Sequence, residues 1–472
     1  MVLCSLPALR AYQVPLLTSE ARDDVTVSAP QLGKTIGLGL WVLIGAWRDA
    51  AAGITLPTWW AAPTYGMVEQ GLEKSAEMAR SVGILRDYKQ TSPPRVILRN
   101  GGWIEGRSWE TPENVYGPTV ARIGVDEFGN LTAEAHAALR SRVSETRTRG
   151  LGYMRYAGNV GEIGGEAEAL WRHAISGAPG WAARTWTWRD RSVAAVCECG
   201  LNGEGTGIEF ADLHGLDCER GRYLVEMRDL QSRMAPAHFR QLYGAEWLDW
   251  SALPAYTFDR SLHVTADVHE EPSLPLDLSC DFNVDPMCWV VGQHTSREAW
   301  ALDELVIPGG ATTQAACAEF LRRYPAQKGR GLQVFGDASG SARGTKSTRS
   351  DYEIIRQEIG VAWSGLRMMV PAANGPVTNR LNAVNAMLVN GDGETRYYIH
   401  PRCEKLANDF ARVSLKPGTR DVDKSNRQLT HASDAEGYRL VALFPVSAAA
   451  RSEGVSGVRD LGFDGGLATA QF

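Results

Sequence analysis

The stretch from Val25 to Trp47 limits the possible folds more than any other part of the chain. A short β-rich run ends there in a tight turn and continues directly as an apolar helical run. Strand–turn–helix units of this kind build α/β domains with a largely parallel sheet, and the pattern recurs up to about residue 190. The predicted strands are Val25–Ala29, Trp59–Pro63, Val96–Leu98, Ile123–Asp126 and Tyr153–Gly158, and the predicted helices are Thr35–Trp47, Met67–Val82, Ala133–Glu145 and Glu166–Ile175.

Composition excludes several classes of protein. The longest apolar run, Thr35 to Trp47, is shorter than the roughly 20 residues that a membrane helix needs, so a buried helix is predicted instead. A chain of 472 residues with 44% hydrophobic residues is long enough for two or three globular domains. Its formal net charge of −6 means that any contact with DNA has to come from a local basic surface.

The eight cysteines do not predict a disulfide framework in a chain of this length. No secretory signal is evident, and the expected compartment is a reducing cytoplasm. Cys197, Cys199, His214 and Cys218 form a sequence cluster, but their spacing matches no standard zinc template. Thiols in loops and strands are the favoured interpretation, and a zinc site is the alternative.

A phosphate-binding loop of the Walker A type is predicted in the turn after the first strand. Backbone N–H groups at the start of the next helix would face phosphates, Lys34 would neutralise the β and γ oxygens, and the Thr35 hydroxyl would ligate Mg²⁺. Ser28 replaces the first glycine of the usual pattern. The predicted residues of this ATP site are Ser28, Ala29, Pro30, Gln31, Leu32, Gly33, Lys34 and Thr35.

Two acids end the predicted strand Ile123–Asp126, about ninety residues after the loop, in the arrangement called Walker B. Asp126 would hold Mg²⁺ through water, and Glu127 would polarise the water that attacks the γ-phosphate. Paired acids also cap exposed strand ends without any function. Their position after a phosphate-binding loop favours the catalytic interpretation.

Further candidates belong to the same half of the chain. Gln13 would read an adenine edge with its amide, and Asn159 would sense the γ-phosphate, although single amides are also typical of ordinary polar surface. Four arginines just after the two acids are candidates for acting on the site of a neighbouring subunit, with solvated helix charge as the alternative role, and the sequence does not choose among them. These are Arg140, Arg142, Arg147 and Arg149.

Three aspartates mark a second α/β region. Asp281 lies within an apolar strand, where an unpaired carboxylate is costly unless a metal or a partner compensates it. Asp337 follows another predicted core strand, and Asp434 opens an apolar helix, where stabilisation of the helix N-terminus is the alternative role. The predicted strands are Leu274–Asn283, Cys288–Gln293, Ala299–Val306 and Gln333–Gly336, and the predicted helices are Thr312–Tyr324, Ser350–Ile359, Val377–Val389 and Ala435–Phe444.

The three aspartates together predict a metal-dependent nuclease of the RNase H type. Carboxylate oxygens suit Mg²⁺ or Mn²⁺, and a cluster of acids can hold two ions that activate water at a phosphodiester. Any one of these aspartates alone is more typical of a structural role. Asp285, Glu304 and His431 are secondary candidates for metal contacts or proton transfer.

The domain organisation follows from these patterns. Residues 1–190 are predicted to form a P-loop ATPase domain, and residues 269–446 an RNase H-like nuclease domain. Between them, 191–268 is predicted to be a linker subdomain, with a helix at His238–Trp250. The small-residue-rich segment 447–472 is predicted to be a flexible tail.

In this order the motifs resemble the large terminase subunit of tailed bacteriophages, over nearly the whole chain. Helicases share the first set and RNase H-like nucleases share the second, so the combination is more specific than either half. The segment before the phosphate-binding loop is short for this family. The residues that carry the resemblance are Gln13, the Walker A loop, Val125-Asp126-Glu127, Gly158-Asn159, Asp281-Phe282-Asn283-Val284-Asp285-Pro286, Gly336-Asp337-Ala338-Ser339-Gly340 and His431-Ala432-Ser433-Asp434-Ala435-Glu436-Gly437-Tyr438.

The resemblance implies an ATPase core of the ASCE class and a motor that moves viral double-stranded DNA into the procapsid through the portal protein. It also implies cutting of concatemeric DNA by the nuclease, a small terminase subunit as partner, and a homo-oligomeric ring on the portal formed from a chain that is monomeric in solution. The implied location is the host cytoplasm, transiently on the procapsid and not in the mature virion.

Two other classes of protein remain as alternatives: another P-loop translocase or helicase-nuclease, and an inactive prophage homologue that serves only as a structural partner. A motor that grips DNA needs a basic surface, whereas a structural partner does not. Candidates for that surface are Lys405, Arg412, Lys416, Arg420 and Lys424.

Overall fold

The structure is a computed structural model, and it describes residues 6–195, 197, 199, 205–249, 254–283, 285–307, 309–325, 329–341, 349–416, 419, 421–426 and 428–446. The chain divides into two compact units, Met1–Pro254 with Ser414–Asp421, and Ala255–Val413 with Val422–Phe472. The segment 191–268, predicted as a linker subdomain, is therefore divided between them. The predicted tail 447–472 lies outside the described residues.

The first unit contains an eight-stranded sheet in the part of the chain that the structure describes. Its strands are β1 (Asp23–Ser28), β2 (Thr58–Ala62), β3 (Leu85–Lys89), β4 (Arg95–Leu98), β5 (Trp103–Ser108), β6 (Arg122–Asp126), β7 (Tyr153–Gly158) and β8 (Trp181–Trp186). The spatial order is β3-β4-β5-β2-β6-β7-β1-β8, with antiparallel pairing only at β3, β4 and β5. Strand β7 thus separates β1, which leads into the phosphate-binding loop, from β6, which ends in the two acids; this order is typical of the ASCE class.

Helices cover both faces of this sheet. The helices of the first unit are α1 (Val14–Thr18), α2 (Lys34–Ala51), α3 (Tyr65–Ser81), α4 (Ala133–Arg147), α5 (Glu166–Ile175), α6 (Trp188–Ala194), α7 (Ala211–His214), α8 (Glu219–Arg233) and α9 (Pro236–Leu242). Successive strand side chains point to opposite faces. Trp59 accordingly packs with α4 and α5, whereas Trp60 packs with α2 and α3, and both rings are fully buried.

The predicted apolar helix is α2, and residues on nearly all of its sides are buried. Asp49, in its last turn, accepts hydrogen bonds from Arg122 Nε and Nη2 at 2.7 and 2.6 Å, which ties the helix to β6. No helix among the described residues has both the length and the apolar character that crossing a bilayer requires.

Three strands of the first unit, β3, β5 and β8, were not predicted. Strand β3 is largely exposed, and β5 contains Glu105, a buried acid paired with Arg95 and Arg107. Charged residues of this kind conceal the alternation that marks a strand. The predicted helix His238–Trp250 is shorter than expected: α9 ends at Leu242, and Trp250 lies outside the described residues.

The second unit contains a six-stranded sheet in its described residues. Its strands are β9 (Leu276–Asp281), β10 (Met287–His294), β11 (Ala299–Ile307), β12 (Leu332–Gly336), β13 (Leu366–Met368) and β14 (Tyr397–Ile399). Strands β9, β10 and β11 form an antiparallel meander, and β12 pairs in parallel with β9, giving the order β13-β12-β9-β10-β11-β14. This is the RNase H-like arrangement predicted from the sequence.

The helices of the second unit are α10 (Arg260–His263), α11 (Thr313–Arg323), α12 (Asp351–Glu358), α13 (Val377–Leu388), α14 (Glu404–Arg412) and α15 (His431–Leu443). Helix α15 packs on β9, β10 and β12. Its position is fixed by the fully buried Arg439, which donates to Asp277 at 2.9 Å and to Glu436 at 2.5 Å. Removing one member of such a buried network typically costs about 3–5 kcal/mol.

Candidate active sites

The phosphate-binding loop has the backbone geometry that its sequence predicts. Gly33 immediately precedes α2 and has a φ of +75°, a region that glycine adopts without steric cost. A Cβ at this position would lie 2.5 Å from Gln13 Nε2. The N-terminus of α2 thus opens directly from the loop, as anion binding requires.

Gln13 fixes the phosphate-binding loop through hydrogen bonds of its side-chain amide. Its Nε2 donates to the Leu32 carbonyl at 2.8 Å, and its Oε1 accepts from Arg10 N at 2.8 Å. The Tyr12 hydroxyl donates to the same Leu32 carbonyl at 3.1 Å. These contacts show that Gln13 positions the loop, and recognition of adenine by its amide stays a prediction.

Glu127 and Asn159 both contact the side-chain amine of Lys34. Lys34 Nζ lies 3.1 Å from Glu127 Oε1 and donates to Asn159 Oδ1, also at 3.1 Å. Glu127 has a φ of +54°, which is uncommon for a residue other than glycine and is often found where a site fixes the backbone. The loop, the end of β6 and the residue after β7 are therefore brought together.

Thr35 and Asp126 supply the oxygens that a magnesium ion prefers. Thr35 Oγ1 lies 3.5 Å from Asp126 Oδ2, and the Asp126 side chain is almost completely buried. Burial, and secondarily the charge of Glu127, raises the pKa of Asp126 to about 6. Because a bound cation would offset both effects, this pair fits Mg²⁺ held with a nucleotide.

The four candidate arginines lie in two different environments. Arg140 and Arg147 both donate to the buried Asp23, at 3.2 and 2.7 Å. Arg142 donates to the Gly117 carbonyl, and the exposed Arg149, just after the end of α4, pairs with Glu145 in the last turn of that helix. Arg142 and Arg149 therefore hold no buried acid, whereas Arg140 and Arg147 do.

Asp281 and Asp337 lie at the carboxyl ends of two adjacent parallel strands. Gly336 pairs with Cys280, so the two aspartates occupy equivalent positions one residue further on. Asp281 Oδ2 accepts from Asn283 Nδ2 at 2.5 Å and lies 3.2 Å from His431 Nδ1. Their proximity was predicted from the motifs, and the sheet register provides it.

Asp337 is ionised more readily than an ordinary aspartate. Burial opposes its ionisation, but hydrogen bonds from Asn374, from the backbone and side chain of Ser339 and from Tyr438 outweigh it and lower the pKa of Asp337. Asn374 Nδ2 donates to Oδ1 at 2.7 Å, and the Tyr438 hydroxyl donates to Oδ2 at 3.0 Å. A carboxylate that stays charged and is held in one orientation suits a metal ligand.

Asp434 is paired with two cations. It lies on the same face of α15 as His431 and Tyr438, which contact Asp281 and Asp337, but Arg380 Nη2 donates to its Oδ1 at 2.6 Å and Lys424 Nζ donates to its Oδ2 at 2.8 Å. The described residues contain one group of three or more His, Cys, Asp or Glu side chains close enough to share an ion, and it does not include these aspartates. Joint metal binding by Asp281, Asp337 and Asp434 therefore stays a prediction.

The three secondary candidates for metal contacts or proton transfer, Asp285, Glu304 and His431, have different contacts. Asp285 accepts from the Gly309 N–H at 3.1 Å. Glu304 accepts from the N–H groups of Lys405 and Leu406 at the start of α14, as a helix-capping acid does. Only His431 lies beside one of the three aspartates.

Sequence reasoning missed the residues that orient this site. Asp409 is fully buried and accepts from the N–H groups of Ala432 and Ser433, which fixes the start of α15. Its partner Lys405, four residues earlier, donates to Asp409 Oδ1 at 2.5 Å. That spacing was the one available signal, but it is also typical of an exposed helix pair. Arg380 and Asn374 carried no signal, because their contacts depend on the packing of distant segments.

Of the five candidate basic residues, Lys405 and Lys424 are paired with Asp409 and Asp434. Arg412 and Lys416 are exposed. Arg420 lies outside the described residues.

Comparison with known proteins gives a likeness of structure and none of sequence. No protein-family model matches the chain, and no curated protein matches it. A solved structure of the large terminase from a thermophilic bacteriophage aligns with a TM-score of 0.55 and 13% identity, covering 92% of this chain and 98% of that one. The same terminase in complex with ADP aligns with a TM-score of 0.55 and 14% identity, covering 92% and 99%.

The aligned part, 92% of the chain, includes residues of both units. The chain therefore has the fold of these large terminases, a P-loop α/β unit followed by an α/β unit of the RNase H type.

Proposed function

We propose that the chain is the large subunit of a phage terminase, which uses ATP hydrolysis to move viral double-stranded DNA into a procapsid and cuts that DNA with a metal-dependent endonuclease. One observation carries the proposal. A single chain joins a phosphate-binding loop, whose Lys34 already contacts Glu127 and Asn159, to a second α/β unit with two aspartates at adjacent strand ends. A terminase of the same fold has been solved with ADP and with ATP-γ-S, which supports the choice of nucleotide.

In the first unit, Lys34 would neutralise the charge of the transferred phosphoryl group, and the N-terminus of α2 would hold the phosphates. Thr35 and Asp126 would hold Mg²⁺, which supplies further charge neutralisation when bound. Glu127 would orient the attacking water and accept its proton. Asn159 accepts a hydrogen bond from the Lys34 amine. It would therefore respond when that amine moves towards the γ-phosphate.

In the second unit, Asp281 and Asp337 would hold Mg²⁺ or Mn²⁺, which supplies the activation of water at a phosphodiester when bound. Asn374 and Tyr438 keep Asp337 in one orientation, and Asn283 does the same for Asp281. His431 lies beside Asp281 and would accept or return a proton at Nδ1.

The partners follow from this function. They would be double-stranded DNA, the portal protein and a small terminase subunit, with copies of the chain forming a ring on the portal and existing as monomers in solution. Arg142 or Arg149 would act on the site of the neighbouring copy, because Arg140 and Arg147 are held by the buried Asp23. The chain would work in the host cytoplasm, transiently on the procapsid and not in the mature virion.

A plasmid-cleavage assay with Mn²⁺ or Mg²⁺, run beside an ATP hydrolysis assay, tests the proposal. We expect Glu127→Gln to reduce ATP hydrolysis at least about 100-fold and to leave cutting intact, because it removes the general base alone. Asp281→Asn should do the reverse. Glu77→Gln and Asp285→Asn, which remove acids outside both sites, are the matched controls and should retain both activities.

The proposal is overturned if the wild-type chain neither hydrolyses ATP nor cuts DNA under these conditions, with DNA and portal protein present. A second candidate is a P-loop translocase without nuclease activity. The pairing of Asp434 with Arg380 and Lys424 favours it, because two cations already occupy that carboxylate. Robust ATP hydrolysis without cutting at any Mn²⁺ concentration would select this candidate.

A further inference from the structure

We propose that Cys197, Cys199, His214 and Cys218 bind a structural zinc ion in the first unit. Their spacing, C-x-C followed after fourteen residues by H-x₃-C, matches no standard template. The structure nevertheless brings one ligand atom from each residue to within 4.8 Å of all the others. This site is separate from the phosphate-binding loop and from the three aspartates, and it does not depend on the proposed function.

The distances between the ligand atoms suit a tetrahedral ion. With bonds of about 2.3 Å to sulfur and 2.0 Å to nitrogen, a tetrahedral zinc ion places two sulfurs ~3.8 Å apart and a sulfur and a nitrogen ~3.5 Å apart. Here the sulfurs of Cys197 and Cys199 are 3.3 Å apart, and His214 Nδ1 lies 3.6, 3.2 and 4.0 Å from the sulfurs of Cys197, Cys199 and Cys218. The sulfur–nitrogen distances lie on both sides of the expected one, and the sulfur–sulfur distance is about 0.5 Å shorter than expected.

The orientation of His214 supports a metal ligand. Its Nε2 lies 2.6 Å from the Gly205 carbonyl, which can only accept a hydrogen bond. In the neutral imidazole, Nε2 therefore carries the proton, and Nδ1 presents one lone pair to the three sulfurs. That lone pair lies within 4.0 Å of all three sulfurs, and a cation among them would be bound by all four atoms. A backbone carbonyl on the outer nitrogen is the usual support of a zinc-bound histidine.

The surrounding structure holds the four ligands in place. Cys218 directly precedes α8, and Gly221 in its first turn allows close approach, because a Cβ there would lie 1.9 Å from the Gly215 carbonyl and 2.9 Å from His214 Cβ. The buried Arg220 donates to the carbonyls of Ser192, Val193 and Ala195, just before Cys197. The helix that follows Cys218 is thereby tied to the backbone that precedes Cys197.

The chemistry of the ligands and their setting indicate a structural zinc ion. Three sulfurs and an imidazole form a closed set of four protein ligands, as in structural sites, and thiolates favour zinc over magnesium or calcium. Three apolar side chains near the cluster, Val193, Leu213 and Leu216, are each at least 60% exposed and add little to its packing. A metal ion commonly supplies the missing stability in such segments. A disulfide between Cys197 and Cys199 does not explain the cluster, because their sulfurs are 3.3 Å apart and a disulfide bond is about 2.05 Å long.

The experiment measures metal in the full-length chain, purified without a polyhistidine tag or chelator from zinc-supplemented cells. We expect about one Zn²⁺ per chain by elemental mass spectrometry, retained through dialysis against buffer. Zinc-free protein titrated with Co²⁺ under reducing conditions should show the intense visible absorption of tetrahedral cobalt with thiolate ligands. Added Zn²⁺ should abolish that absorption.

Cys218→Ala is the test variant, and Cys317→Ala is its matched control, because both thiols are 1% exposed and only Cys218 belongs to the cluster. Cys218→Ala should lose bound Zn²⁺ and the cobalt absorption, whereas Cys317→Ala should keep both. The wild-type titration decides the matter even if Cys218→Ala does not fold. Loss of zinc on dialysis together with no cobalt absorption overturns the proposal, as does equal loss of zinc in both variants.

Discussion

The two candidate active sites differ in what their charged groups contact. In the first unit, the predicted residues contact one another: Lys34 lies between Glu127 and Asn159, and Thr35 is next to Asp126. In the second unit, the predicted aspartates contact other residues, and Asp434 is neutralised by Arg380 and Lys424. The first site thus brings its predicted residues into contact with one another, whereas Asp434 would have to exchange two cationic side chains for a metal ion.

The difference has a physical origin. Lys34 and Thr35 begin a helix that directly follows β1, and Asp126 ends β6 in the same parallel sheet, so the strand ends alone bring them together. Asp434 lies on a helix, and its environment depends on residues of α13 and of the segment before α15. The contact between Thr35 and Asp126 therefore follows from the sheet, whereas the contacts of Asp434 follow from helix packing.

The largest expected effect tests the nuclease side of this comparison. Asp337→Asn should reduce DNA cutting at least about 100-fold, about 2.7 kcal/mol in activation free energy, because it removes a charged ligand that Asn374 and Tyr438 keep oriented. ATP hydrolysis should be unchanged. Asp285→Asn is the control in the same assay, and equal cutting by both variants would contradict the assignment of Asp337.

The next prediction concerns stability without nucleotide or metal. The pKa of Asp126 is raised to about 6, so its ionisation opposes folding above that pH. Asp126→Asn should therefore stabilise the chain at pH 7.5 by on the order of 2 kcal/mol, and this gain should shrink as the pH falls through 6 and disappear near 4. Thermal unfolding measured across this range checks it.

Two controls sharpen that measurement. Asp87→Asn removes the same charge from an exposed strand and should leave the Tm unchanged. Asp337→Asn should have the opposite sign to Asp126→Asn, because the pKa of Asp337 is lowered and its ionised form stabilises the folded chain at neutral pH. A Tm change of the same sign for both variants would contradict the opposite directions of the pKa shifts of Asp126 and Asp337.

The smallest expected effect concerns Asp434. Lys424 is 57% exposed, so Lys424→Gln should fold normally while removing one of the two cations that compete with a metal ion for this carboxylate. We expect the Mn²⁺ concentration for half-maximal cutting to fall about threefold, or ~0.7 kcal/mol. Arg412→Gln removes a comparable exposed charge from α14 and is the control. An unchanged Mn²⁺ dependence would mean that Asp434 is not a ligand.

Much of the fold was predictable because its patterns are local. The strand–turn–helix unit at Val25–Trp47 and the apolar strands β6, β7 and β9 were placed within a few residues of their observed bounds. Strands β3 and β5 were missed, since charged residues such as Glu105 conceal their alternation and are tolerated only through pairing with Arg95 and Arg107. The boundaries of the domains depend on long-range contacts, which no local pattern records.

The sequence by itself determined the chemistry that each unit offers. Lysine and hydroxyl groups after a strand predict phosphate binding, and carboxylates at strand ends predict divalent metals, because these properties belong to the residue types and to strand geometry. Only the tertiary structure decided which groups face one another. It placed Arg380 and Lys424 on Asp434, and it gathered Cys197, Cys199, His214 and Cys218 into one cluster although their spacing fits no template. Contacts between residues far apart in the chain depend on how helices pack, and the free energy of that packing is spread over the whole core.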